Sequence, residues 1–176
     1  RINMPNEEQN HSYNYLGNVN INHKLSERQS LNLDLDYTYY FNDNPSLYQL
    51  EFYDDQNILT DAYDIRATKM TPMHILVGKF DYANKPNDKT TIEMGLKATA
   101  ISFDNDNIVD EDQCNGWELA PLFSSITEMD EDIFAAYTAY AYQLSDKTDF
   151  KLGLRYEFTD ANLGSEIMPN IVDNQY

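Results

Sequence analysis

Phe150-Lys-Leu-Gly-Leu-Arg-Tyr-Glu-Phe-Thr159 decides how the chain is read. Phe150, Leu152, Leu154, Tyr156 and Phe158 are large and apolar, while Lys151, Gly153, Arg155, Glu157 and Thr159 are small, polar or charged. A strand turns successive side chains to opposite faces, so this stretch has one greasy face and one wet face. A helix would scatter the five apolar side chains around its circumference. Two architectures use such a strand. A soluble sandwich buries the greasy face against a second sheet. An outer-membrane barrel turns it to lipid and turns the wet face to an aqueous lumen.

The same alternation recurs along the chain. Ser30 to Phe41 is the cleanest case, with Leu31, Leu33, Leu35, Tyr37, Tyr39 and Phe41 set against Asn32, Asp34, Asp36, Thr38 and Tyr40. Tyr15 to Leu25, Met73 to Ala83, Lys89 to Phe103 and Asp132 to Leu144 follow the pattern, bringing the expected count to about six strands. Residues 1–14 are polar and without period, and are read as an end or a loop. Asn42-Asp-Asn-Pro45 is a breaker that opens a long connection over 42–71. A second long connection covers 104–131, and the segment from Asp160 onward carries no further strand in this reading. Connections alternate short and long, so in an up-and-down meander all short turns lie at one end and all long loops at the other. Outer-membrane barrels have this asymmetry, with short periplasmic turns and long extracellular loops.

Bulk properties narrow the choice of partners. The chain has 176 residues, 30 acidic against 12 basic side chains, and a net charge of -18, which repels the phosphates of nucleic acids. Tyr is abundant at 14 residues, as expected where strands and interfaces dominate. Mean hydropathy is -0.64, and no apolar run approaches the roughly 20 residues of a membrane helix. Barrel strands escape that test, because alternation averages to a polar mean. Cys114 is the one cysteine, so an internal disulfide is excluded.

Four short stretches, in order, resemble strands of one family. Lys79-Phe-Asp-Tyr82, Glu93-Met-Gly-Leu-Lys97, Ala135-Ala-Tyr137 and Gly153-Leu-Arg-Tyr-Glu157 with Thr159 are similar to strands in the barrels of TonB-dependent receptors, of the outer-membrane β-barrel family. The resemblance runs from about Tyr15 to the end. It implies an all-β, antiparallel up-and-down meander forming part of a transmembrane β-barrel in the outer membrane. It also implies energised uptake of a nutrient, such as a metal chelate or a glycan. The implied partners are outer-membrane lipid, the TonB system reached through a plug domain, and an unknown nutrient. Such receptors have roughly 22 strands and a plug, so the chain is expected to be a partial barrel wall. A secreted or surface β-sandwich that binds a ligand through long loops is the alternative.

Candidate site residues are few. Trp117 and Phe123, in the second long connection, could stack on a sugar or chelate, or could pack that loop on itself. Lys97, Arg155 and Glu157 lie at wet positions and are expected to face the lumen, pairing across neighbouring strands. Asp104-Asn-Asp-Asn-Ile-Val-Asp110 opens like a calcium loop, but Val109 stands where Gly is needed and Asn115 replaces the closing Glu. A solvated acidic loop is the plainer reading. His11, His23 and His74 lack metal spacing, and no motif sets a nucleophile against a base, so neither cofactor nor catalysis is expected.

The two faces of the opening strand should respond oppositely to substitution. Leu154→Arg puts a cation on the lipid-facing side and should lower barrel stability by roughly 2–4 kcal/mol. Arg155→Gln removes a wet charge and should cost only about 0.2–1 kcal/mol. Unfolding of both variants in lipid vesicles measures this. Full folding of wild-type and Leu154→Arg protein without detergent or lipid would remove the barrel reading.

Overall fold

The computed structural model describes residues 1–112, 116–165 and 171–175. Its strands are β1 (Ile2–Asn3), β2 (Asn6–Glu8), β3 (His11–Ser26), β4 (Gln29–Tyr53), β5 (Leu59–Asn87), β6 (Thr90–Asp112), β7 (Trp117–Leu119), β8 (Ser125–Ser145), β9 (Thr148–Ser165) and β10 (Val172–Gln175). Six are long, and β3, β4, β5, β6, β8 and β9 pair consecutively as one antiparallel meander. The four short strands extend the same sheet: β1 and β2 line β4, β7 lies on β6, and β10 lies on β9. The sheet is not closed, and a second sheet packed on the first, as a sandwich requires, does not form among the described residues.

Register converts the sequence alternation into two chemical faces. Ile21, Leu33, Phe80, Leu96, Ala136 and Tyr156 form one transverse row. Val19, Leu35, Gly78, Ala98, Phe134 and Phe158 form the next. Aromatic rings gather at the border of this apolar band towards the long connections. Tyr15 stacks with Tyr39 and Tyr13 with Phe41, each at 6.2 Å, while Tyr39 and His74 lie 4.8 Å apart. The band has nothing over it. Leu96 is 60 %, Leu152 66 % and Leu154 75 % exposed, and the buried apolar residues among those described are only Val109 and Ala135. A continuous apolar sheet face of this size needs a nonaqueous neighbour.

The polar segments depart from expectation. Residues 1–14 are not an irregular end. Ile2 pairs with Phe52 and Asn6 with Tyr48, and β3 begins at His11. Backbone bonds carry this edge: Tyr53 N–H donates to Arg1 O at 2.8 Å and Gln49 N–H to Pro5 O at 3.0 Å. Most of 42–71 is likewise ladder, running from Asn42 opposite Thr71 up to a turn at 54–58. Pro45 does not break it. Its carbonyl accepts from Gln9 N–H at 3.0 Å, so its missing N–H points into the gap between β2 and β3, where no ladder bond is lost. In 104–131, β6 continues to Asp112, β7 folds back on it and β8 starts at Ser125. The segment after Asp160 adds β10, with Val172 opposite Leu163. These stretches lack a period because beyond the band neither face must be apolar, while backbone pairing alone still propagates the strand.

One packing contact ties three strands together on the polar face. Tyr137 of β8 sits directly opposite Gly95 of β6, and Gly95 is opposite Asp81 of β5. The Tyr137 ring lies over Gly95, and its hydroxyl donates to Asp81 Oδ1 at 2.5 Å. A methyl at Gly95 would overlap the ring and its hydroxyl. Gly95→Ala should therefore destabilise the barrel by about 1–3 kcal/mol, through overpacking. Tyr137→Phe keeps the ring and should lose about 0.5–1.5 kcal/mol with the hydrogen bond. Urea unfolding in lipid vesicles compares them, and equal midpoints for wild type and Gly95→Ala would show that the glycine is not required.

Candidate functional site

The face opposite the apolar band is built from amides and charges. Near β3 and β4, Asn18 donates to Asp36 at 2.5 Å, Asn20 donates to Asn32 at 3.1 Å and also to Asp34, and Asn32 donates to Asp34 at 2.5 Å. Alternation places these side chains together because Asn18, Asn20, Asn32, Asp34 and Asp36 all fall on wet positions. Each carboxylate gains amide donors, and Asp34 also stands opposite Lys79 of β5, so the charge on this wall is held by hydrogen bonds and by a neighbouring cation.

Further along the same face, Lys79 Nζ contacts Asp81 Oδ2 at 2.6 Å, and Lys151 Nζ contacts Glu93 Oε2 at 2.7 Å. Arg155 binds Glu157 two residues on along β9, and its guanidinium lies 5.8 Å from the Tyr137 ring centre. Lys97 stands opposite Lys79 on one side and Ala135 on the other. The three wet-face residues singled out from the sequence thus share a face, but they do not pair across strands. Ala135 lies between Lys97 and Glu157 in their row, and Arg155 takes Glu157 on its own strand. The neighbours that matter around them, Asp81, Gly95 and Tyr137, were each inside a recognised strand stretch. The available signal was a wet-position Gly directly across from a Tyr, which only the register reveals.

The end of the sheet bearing the long connections has a different electrostatic character. Segments 1–14, 42–71, 104–132 and 160–176 contain 21 Asp and Glu, against Arg1, Arg66 and Lys69. The rest of the chain carries nine acids and nine bases, so the whole net charge of -18 belongs to that end. Arg66 is fixed there by Asp110 Oδ2, with Nε at 3.1 Å and Nη2 at 2.6 Å, and it lies 4.7 Å from the centre of the Trp117 ring. Trp117 is on β7 and remains 39 % exposed; Phe123 follows in the next turn and is 63 % exposed. At the tip of β4, the carboxylate of Glu51 is held below its usual range by hydrogen bonds from Asn3 and Tyr53, each at 2.9 Å. The Tyr53 hydroxyl is raised, chiefly by that same bond.

Metal chemistry finds little support in this arrangement. Asp104 to Asp110 lies extended within β6, with side chains alternating between faces, so it cannot curl around a calcium ion as a 12-residue loop does. Among the described residues, no group of three or more His, Cys, Asp or Glu side chains could hold a metal ion. His74 instead meets Tyr37, whose hydroxyl lies 2.9 Å from His74 Nδ1. Cys114 and Asn115 lie outside the described residues.

Comparison with known proteins fits this geometry. No curated protein matches the chain. The sequence profile of the outer membrane protein beta-barrel family matches residues 23–176, which takes in five of the six long strands whole and the last four residues of β3. The uncovered apolar band, the charged opposite wall and the consecutive antiparallel pairing are what a barrel wall in the outer membrane requires, and the chain belongs to the outer membrane protein beta-barrel family.

Proposed function

We propose that this chain is a stretch of barrel wall in a TonB-dependent receptor that takes up a nutrient, either a metal chelate or a glycan, across the outer membrane. The observation that carries the reading is the charged inner face. Lys79, Asp81, Lys97, Arg155 and Glu157 sit where a small barrel would pack its own side chains, so the lumen they line is wet or filled by another polar domain. Such a lumen belongs to a wide barrel, and six strands in an open sheet make up only part of one. The four ordered motifs point to the receptor class. In this reading the partners are outer-membrane lipid around the apolar face, the TonB system acting through a plug domain, and the nutrient itself. Nucleic acid is no partner, and the role is transport, without catalysis.

The acidic end bears on the cargo. A net charge of -18 concentrated at the long connections repels anions approaching from that side, so neutral glycans and neutral or cationic chelates are favoured.

Growth assays in the Gram-negative bacterium that makes the protein test this. A strain lacking the protein should fail on one nutrient, drawn from a panel of iron chelates and oligosaccharides, on which a strain lacking TonB also fails. If the first strain grows normally on every nutrient that the second cannot use, the receptor reading is wrong.

A further inference from the structure

Trp117 is the chain's single tryptophan, and its surroundings are ordered by register. It pairs with Asp112 of β6, which in turn pairs with Asp64 of β5. Two positions further along, on the same face, Arg66 pairs with Asp110. The chain of contacts runs from Asp110 to the Arg66 guanidinium and from there to the indole, so Arg66 braces the ring from one side. An aromatic side chain already held in place loses little freedom when a ligand stacks on it.

The two carboxylates in register with Trp117 have no donor among the described residues. Neither Asp64 nor Asp112 makes a side-chain hydrogen bond or ion pair with a described residue, and Asp112 Oδ1 is shielded from solvent without a partner. Two like charges in register are unfavourable, and an acceptor without a donor adds to the cost. A ligand that brings hydroxyl donors relieves both and places an apolar ring face against the indole.

We propose that Trp117, Asp112 and Asp64 form a surface subsite for a neutral carbohydrate, with a sugar ring stacked on the indole and its hydroxyls donating to the carboxylates. Anionic ligands are excluded by the same carboxylates and by the acidic end around them. The subsite goes beyond the uptake reading and does not depend on it. Alternation runs unbroken along β5, so Arg66 lies on the same face as His74, Leu76 and Phe80, about 26 Å beyond His74 along the strand at roughly 3.3 Å per residue. The subsite therefore opens outward above the membrane rather than into the lumen. Sugar reaches it either free in solution or as the glycan of an outer-leaflet lipid; the recognition chemistry is the same for both.

The test uses the protein purified from outer membranes, in detergent and in nanodiscs. Emission of wild-type protein minus that of Trp117→Phe reports the indole alone. The probes are maltohexaose, mannohexaose and a galactose oligosaccharide in solution, and smooth lipopolysaccharide carrying a neutral O-polysaccharide in nanodiscs, with citrate and calcium chloride as controls. A saturable change with at least one neutral sugar, weakened about tenfold in Asp112→Ala or Asp64→Ala and retained in Phe123→Ala, is the expected result. A response to the soluble sugars identifies a free ligand, and a response only in lipopolysaccharide nanodiscs identifies the lipid-anchored one. No response to any sugar, a response undiminished in both aspartate variants, or a response to calcium alone overturns the proposal.

Discussion

The backbone ladder is the interaction on which everything else in this protein depends. The sheet has no apolar core of its own among the described residues, and most large side chains on the band are exposed, the rest only half-buried. What holds neighbouring strands together is their N–H to C=O pairing, in unbroken register from Gln29 opposite Asn84 to Phe52 opposite Asp61. In water each such bond adds only about 0.5–1.5 kcal/mol net. In hydrocarbon an unpaired group costs several kcal/mol, so the same ladder becomes obligatory. Lipid thus supplies both the nonaqueous neighbour for the band and the penalty that keeps the strands paired.

That constraint explains what the sequence revealed and what it hid. Within the band one face must be apolar, and Leu31 to Phe41 or Phe150 to Phe158 shows this by simple alternation. The six long strands and their antiparallel order were legible for that reason. Outside the band the ladder persists without any demand on side chains. Ile2, Asn6 and Val172 therefore pair in strands that leave no period in the sequence. Proline misled in the same way. Pro45 reads as a breaker in isolation, but its missing donor faces a gap that the break between β2 and β3 already provides.

The polar wall was legible in composition and not in its pairings. Alternation assigns Lys97, Arg155 and Glu157 to one face, but which charges meet is set by register across strands several tens of residues apart. Lys97 falls opposite a lysine and an alanine, and Arg155 finds its acid on its own strand. Tyr137 reaches Asp81 only because Gly95 leaves room between them, a three-strand relation that no linear motif contains. The aromatic candidates fared unequally for a similar reason. Trp117 acquires a fixed environment from β5 and β6, whereas Phe123 extends from a turn with most of its surface free.

Charge follows the same division between constrained and unconstrained backbone. Where strands cross lipid, acids and bases are matched nine against nine when the short turns are included, and each charge stands on the wet face or at a turn. At the end bearing the long connections, pairing continues while the side chains answer only to solvent, and there 21 acids accumulate against three bases. Repulsion among so many carboxylates is tolerated because water and salt screen it over about 8–10 Å and because the backbone does not rely on side-chain packing. A ladder that is indifferent to its side chains can be extended far beyond the membrane, and it leaves those side chains available for recognition. Arg66, Asp110 and Trp117 use that freedom, forming a defined contact on a stretch whose fold would persist without them.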